Sequence, residues 1–285
     1  MSLCEWDLLE LAAQKGEPRK ELTKAGLRVP PVLTFTETLR AVADGDGKRS
    51  IARFGDGERV LMLDERDIPF QPWSPQIAAE LKRIVSNADG RPCDIGVNRA
   101  YLYRTGAEQE QVERFYAEYE LPMMLADRYP DYLTMVGRAY LDASFTIPYH
   151  HYRTDAFPER FFAKYFASFA EAFNRRDVIL AAGNGVLEER HGYAANLLAM
   201  THTVEEFVLP DRDAYAEIDS IESALAGMNK DGKRTVLLSC GPTATVLAYR
   251  LSDRMRAIDI GHAMRECDRV VRGVPPDDHG EFFAN

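Results

Sequence analysis

The chain has 285 residues, 46% hydrophobic and 28% charged, with a formal net charge of −10 and a mean hydropathy of −0.32. That length buries a substantial core, in one large α/β domain or two small ones. The acidic balance and the lack of any Lys/Arg block argue against a nucleic-acid partner, and the longest apolar runs, "VILAAG" and "TVLLSCG", are too short for a transmembrane segment.

In chain order, residues 1–48 read as a helical lead-in. Leu3, Trp6, Leu9 and Leu11 suit an amphipathic helix, and the opening lacks the basic start and long apolar core of a signal peptide, so a cytoplasmic location is expected. "TETLRAVADG" predicts a helix capped by Thr34 or Thr36, and "RSIARF" a strand closed by glycine. "SPQIAAELKRIVSNADG" is a helix with Ser74 as cap and Pro75 at its first position, and "CDIGV" a second strand. A helix-rich, aromatic insertion follows at about 107–175. Its stripe of Phe161, Phe162, Tyr165, Phe166, Phe169 and Phe173 reads as core, while "DASFTIPYHHYR" is irregular and carries His150 and His151.

From residue 177 the pattern alternates. "DVILAAG" is a strand, "HGYAANLLAMT" a helix, "TVEEFVLP" a strand and "DAYAEIDSIESALAG" a helix. "RTVLLSCG" is a strand, "PTATVLAYRLSDR" a helix and "AIDIGH" a strand. This alternation predicts an α/β fold, a Rossmann-like, mostly parallel sheet with helices on both faces, plus extra N-terminal and central helices. It occupies 49–270 as one domain, with a loose tail at 271–285. The four cysteines, Cys4, Cys93, Cys240 and Cys267, are scattered and suggest neither a disulfide framework nor a zinc ribbon.

Ligands of open parallel sheets bind outside the carboxyl ends of the strands. Three loops qualify: "FGDGE", the "GNG" stretch with Asn184, and "CGPTAT". In "CGPTAT", Gly241 leaves the strand, Pro242 opens the helix, and Thr243 and Thr245 offer hydroxyls in its first turn. This is either an anion site at a helix start or a plain strand-to-helix turn. In "FGDGE", an extended chain would point Asp56 and Glu58 the same way, and Gly57 would let a ligand approach the backbone. Such a carboxylate pair suits Mg²⁺ or Mn²⁺ shared with phosphate oxygens; the alternative is a solvated acidic turn. Asp259, an acid inside a short apolar strand, and His262, at that strand's end, form a second tier.

Taken together, "RFGDGE", "FVLPDRDAYAEIDSI", "LSCGPTATVLAYRLS" and "AIDIGH", in that order, resemble the bacterial GT-D-fold glycosyltransferases, over residues 50 to 268. Asp56 and Glu58 match that family's Asp-x-Glu metal motif. The resemblance implies transfer of a hexose, typically glucose, from a UDP-sugar to a glycan or glycoprotein acceptor, with Mn²⁺ or Mg²⁺. It assigns catalytic roles to Asp56, Glu58 and His262. Donor contacts fall to Arg53, Phe54, Gly55, Gly57, Asn184, Gly241, Pro242, Thr243, Thr245 and Asp259. A homo-oligomer stays open. The rival readings are a non-catalytic nucleotide-binding α/β protein and another nucleotide-using transferase such as a methyltransferase.

Overall fold

Seven parallel strands in the order β3-β2-β1-β7-β6-β4-β5 form one sheet in the computed structural model, which describes residues 32–44, 49–98, 133, 138–148, 160–192 and 194–273. The strands are β1 (Ser50–Phe54), β2 (Cys93–Val97), β3 (Leu141–Asp142), β4 (Asp177–Gly183), β5 (Thr203–Leu209), β6 (Thr235–Ser239) and β7 (Ala257–Asp259). The helices are α1 (Phe35–Asp44), α2 (Asp56–Arg59), α3 (Pro75–Val85), α4 (Phe161–Glu171), α5 (Asn184–Gly192), α6 (Ile218–Met228), α7 (Pro242–Leu251) and α8 (Ala263–Val271). No described helix is long and apolar enough to cross a membrane.

Alternation along the strands builds two cores. Ala52, Phe54, Ile95, Ile179, Val236 and Leu238 face α3, α6 and α7. Ile51, Val178, Leu180, Leu237 and Ile258 face α1, α4 and α8. The aromatic stripe is core as its spacing predicts, except that Phe162 is only partly buried against it: Phe161, Tyr165, Phe166, Phe169 and Phe173 are buried, and Tyr165 meets Phe35 edge-on at 5.2 Å. Local signals hold at the caps. Thr34 and Glu37 form a reciprocal box at the head of α1, and Ser74 accepts from the Ile77 N–H ahead of Pro75.

Three elements differ from their sequence expectations. The helix expected at 191–201 starts earlier, at Asn184 directly off β4, and Ala194–Leu198 forms a separate 3₁₀ turn. The irregular "DASFTIPYHHYR" contains Asp142, which ends the two-residue edge strand β3 before a 3₁₀ turn at Ala143–Thr146. "FGDGE" is not extended: Gly55 caps a helix that begins at Asp56 and runs into a π-helical turn, Val60–Asp64. The expected lead-in helix before residue 32, the helix at 107–120, His150, His151 and the tail beyond 273 lie outside the described residues.

One consequence positions the site. β1 and β7 pair in mid-sheet, at Ile51 and Ile258. From β1 the chain leads to α3 on one face, whereas from β7 it leads to α8 on the other. Neighbouring strands that send their connections to opposite faces open a crevice at their carboxyl ends. "FGDGE", "CGPTAT" and "DIGH" all lie there.

Candidate functional site

Arg53 is the last inward residue but one of β1, and its guanidinium sits at the mouth of this crevice. A Cβ on Gly55 would stand 2.9 Å from Nη1, and one on Gly261 2.7 Å from Nη2. The guanidinium therefore fills a slot that only glycine walls leave open. Its Nε is buried without a hydrogen-bond partner. The nearest carboxylate contact is Asp259 Oδ1 at 3.7 Å, close enough for an ion pair and too long for a hydrogen bond.

Behind Arg53 lie two buried carboxylates joined by one hydroxyl. Thr245 Oγ1 is 2.8 Å from the Arg53 carbonyl, 3.0 Å from Glu58 Oε1 and 3.1 Å from Asp259 Oδ2. A hydroxyl has one proton to donate, so three acceptors around it leave two short of a donor. A proton held by the carboxylates supplies one. Burial accordingly raises the Glu58 pKa to about 7, with Asp259 adding to the rise and Arg53 opposing it. Burial raises Asp259 as well, against the pull of Arg53. Burial works against the charge of Arg53, yet Asp259, Glu58 and Asp56 outweigh it and lift its pKa. Cys240 sits in the same field, and burial with Asp259 and Glu58 pushes its thiol well above its ordinary pKa, so it stays protonated.

The structure brings Arg53, Glu58, Thr245 and Asp259 together, but not in every expected role. Asp56 and Glu58 do not converge. Two residues apart on a helix, they point to different sides: Asp56 is exposed, while Glu58 is 2% exposed. Glu58 Oε2 accepts from the Gly55 N–H at 2.8 Å as a capping-box residue, and Oε1 meets Thr245. The Thr243 and Thr245 hydroxyls are not free for an anion, since Thr243 donates to Gln71 Oε1 at 3.1 Å and both side chains are fully buried. Phe54 is buried in the core shared with α3, α6 and α7. At Gly57 a Cβ would meet Ile68 and Pro242 at 3.1 and 3.3 Å, so glycine makes room there for neighbouring side chains. Gly241, at φ 59° and ψ −145°, occupies a conformation nearly reserved for glycine. Asn184 is exposed at the end of β4, one strand beyond β6, and His262 is exposed at the head of α8.

Among the described residues no group of three His, Cys, Asp or Glu side chains is arranged to hold a metal. Glu58 is engaged by the Gly55 N–H and Thr245, and Asp56 is the exposed carboxylate of the two, near enough to Arg53 to raise its pKa. One carboxylate fits a hard cation that takes its other ligands from a bound diphosphate and water, the habit of Mg²⁺. Two residues the sequence reading passed over complete the rim. Gln71 is 3% exposed and ties the loop after α2 to α7, and Phe70 next to it remains 40% exposed. Their partners are far away in sequence, and no local motif marks them.

The sequence profile described as glycosyltransferase GT-D fold matches residues 51–277. A probable glycosyl transferase Gly of Streptococcus gordonii is 28% identical over 233 residues, 79% of this chain and 31% of that protein. Glycosyltransferase GlyD of Streptococcus pneumoniae serotype 4 is 22% identical over 271 residues, 90% of this chain and 29% of that one. The chain thus spans about a third of the length of these curated relatives. Among solved structures, a Streptococcus sanguinis protein described as a new glycosyltransferase superposes with a TM-score of 0.67 at 25% identity, covering 86% of each chain. A domain of unknown function 1792, described as having a distinct glycosyltransferase fold, gives 0.66 at 22% identity, covering 86% of this chain and 82% of that one.

Proposed function

Because the chain belongs to the glycosyltransferase GT-D fold family, we propose that it transfers a hexose from a UDP-sugar to a hydroxyl of a glycan or glycoprotein acceptor, assisted by Mg²⁺ or Mn²⁺. The observation that carries the reading is Arg53. It is an arginine held in a glycine-walled slot at the sheet's switch point, its Nε side turned to Asp259 at 3.7 Å and a second buried carboxylate, Glu58, behind it. A planar cation in such a place suits a diphosphate.

In the reaction, the bond from the sugar's anomeric carbon to the diphosphate oxygen breaks, and its electron pair leaves with the nucleotide. The anomeric carbon bonds the acceptor oxygen, which gives up its proton. Arg53 stabilises the charge that grows on the leaving diphosphate, and the amino end of α7 adds its dipole. Glu58, Asp259 and Thr245 act as positioning residues that fix the guanidinium. A divalent cation bound at Asp56 would neutralise further charge on the leaving group. Of the sequence's candidates, His262 combines a basic side chain with exposure at this rim, and we assign it the acceptor's proton.

Thermal unfolding with a panel of nucleoside diphosphates, with and without Mn²⁺, tests this. UDP should raise the melting temperature by linkage, Mn²⁺ should enlarge the shift, and Asp56→Asn should lose the Mn²⁺-dependent part. No shift with any nucleotide overturns the reading. An Mn²⁺ increment that survives in Asp56→Asn removes the cation from Asp56.

A further inference from the structure

The loop between the π-helical turn and α3 carries a tight turn whose side chains close over the crevice. Ile68 and Gln71 exchange backbone hydrogen bonds at 3.0 and 3.2 Å, leaving Pro69 and Phe70 at the tip. Ile68 lies against Gly57. Phe70 lies against Gly241, where a Cβ would run into its ring. The turn is locked from behind. Gln71 Nε2 donates to Asp213 Oδ1 at 2.8 Å and to the Pro72 carbonyl at 3.2 Å. Gln71 Oε1 accepts from Thr243 at 3.1 Å and from the Tyr215 N–H at 3.3 Å. All four hydrogen-bonding positions of the amide are thereby filled. The Phe70 carbonyl itself accepts from the Asp213 N–H at 2.8 Å.

Phe70 presents a fixed, open ring beside the strand ends: its backbone is pinned, the ring lies against Gly241, and 40% of the residue faces solvent. Gly241 follows β6 and Gly261 follows β7, and the two strand ends are tied by Ser239 Oγ donating to the Gly261 carbonyl at 2.8 Å. The Arg53 guanidinium stands over Gly261 and the Phe70 ring over Gly241. Cation and ring thus lie over the ends of two adjacent strands, β7 and β6.

We propose that Phe70 is the platform on which the donor's nucleobase stacks while Arg53 holds its diphosphate. The proposal rests on the donor-site reading and adds the base subsite to it. A phenyl ring offers no hydrogen bonds and every base has a π-face, so Phe70 supplies affinity without choosing among bases. The choice of base falls to other residues.

The test is titration of UDP and of inorganic pyrophosphate, each with Mg²⁺, into the wild-type chain, Phe70→Ala and Phe70→Trp, with melting temperatures recorded for all three. Phe70→Ala should bind UDP about tenfold or more weakly, the scale of a lost stacking contact. Its pyrophosphate affinity should stay at the wild-type level, and Phe70→Trp should restore UDP binding. Unchanged UDP affinity in Phe70→Ala, or parallel loss of UDP and pyrophosphate, overturns the base platform. Wild-type chain that binds UDP no better than pyrophosphate also overturns it while leaving the diphosphate site standing. A wild type that binds neither removes the donor-site reading, and the platform with it.

Discussion

Two clusters in this molecule use the same residue types and reach opposite electrostatic states. On the outer helices, Arg250 of α7 donates to both oxygens of Glu80 at 2.7 and 2.8 Å and to Asp219 at 2.7 Å. Tyr215 adds a hydroxyl to Glu80 at 2.8 Å. Every group there has a partner and water is close by, so the cluster ties α3, α6 and α7 together and has little left to bind with. At the strand ends, Arg53 keeps an unmatched Nε, and Glu58 and Asp259 share a single hydroxyl in a dry environment. An incompletely satisfied buried network is expensive to maintain and persists where it has a task. Of these two clusters, the saturated one ties helices together and the other lies at the strand ends where a ligand would bind.

The comparison can be broken first at Glu58. Its carboxyl rises from 4.5 to about 7 on folding, so the folded state holds a proton that the unfolded chain releases. Its contribution is therefore full below about pH 4.5 and is lost as pH climbs through 7. Glu58→Gln keeps an acceptor for the Gly55 N–H and offers Thr245 a permanent donor. Urea unfolding at pH 5 and pH 8 should show the wild type losing on the order of 2 kcal/mol more than the variant. Parallel losses would mean that Glu58 is charged throughout. Glu266, also raised by burial, is present in both proteins and drops out of the difference, whereas Asp259 shares the Thr245 hydroxyl with Glu58 and its response is part of what the difference reads.

A smaller effect sharpens the other side. Arg250→Met strips the outer cluster of its cation, but Glu80 retains the Tyr215 hydroxyl. The expected loss is about 1–2 kcal/mol of stability, with nucleotide affinity unchanged. Loss of nucleotide binding at constant stability would show that the outer cluster is not merely structural.

Much of this architecture is legible in the sequence. β4, β6 and α7 follow from short apolar runs, a glycine exit and Pro242 at a helix start, because each signal is local. Two of the three loops expected at strand ends, "FGDGE" and "CGPTAT", meet at the crevice beside "DIGH", while "GNG" after β4 lies one strand beyond β6, an order the sequence does not reveal. Side-chain directions within the loops are hidden as well. Treating "GDGE" as extended sends Asp56 and Glu58 to the same point, whereas Gly55 starts a helix whose third residue, Glu58, turns back to accept from the Gly55 N–H. The Thr243 and Thr245 hydroxyls look available in a helix's first turn until Gln71, 172 residues away from Thr243, and Glu58, 187 away from Thr245, arrive beside them. Phe70 and Gln71 are illegible for the same reason: their roles are created wholly by tertiary contacts. β3, at two residues, is too short to leave a pattern.

The central claim is that the unsatisfied arginine, and not the saturated one, receives the donor's diphosphate. Calorimetric titration of UDP with Mg²⁺ into Arg53→Lys beside Arg250→Lys tests it most directly. Both changes keep the charge and remove the planar fork. Arg53→Lys should weaken UDP by about tenfold or more, the scale of losing hydrogen bonds to a charged group, while Arg250→Lys binds as the wild type does and both melt within a few degrees of it. Wild-type affinity in Arg53→Lys, or an equal loss in the two variants, would contradict the account.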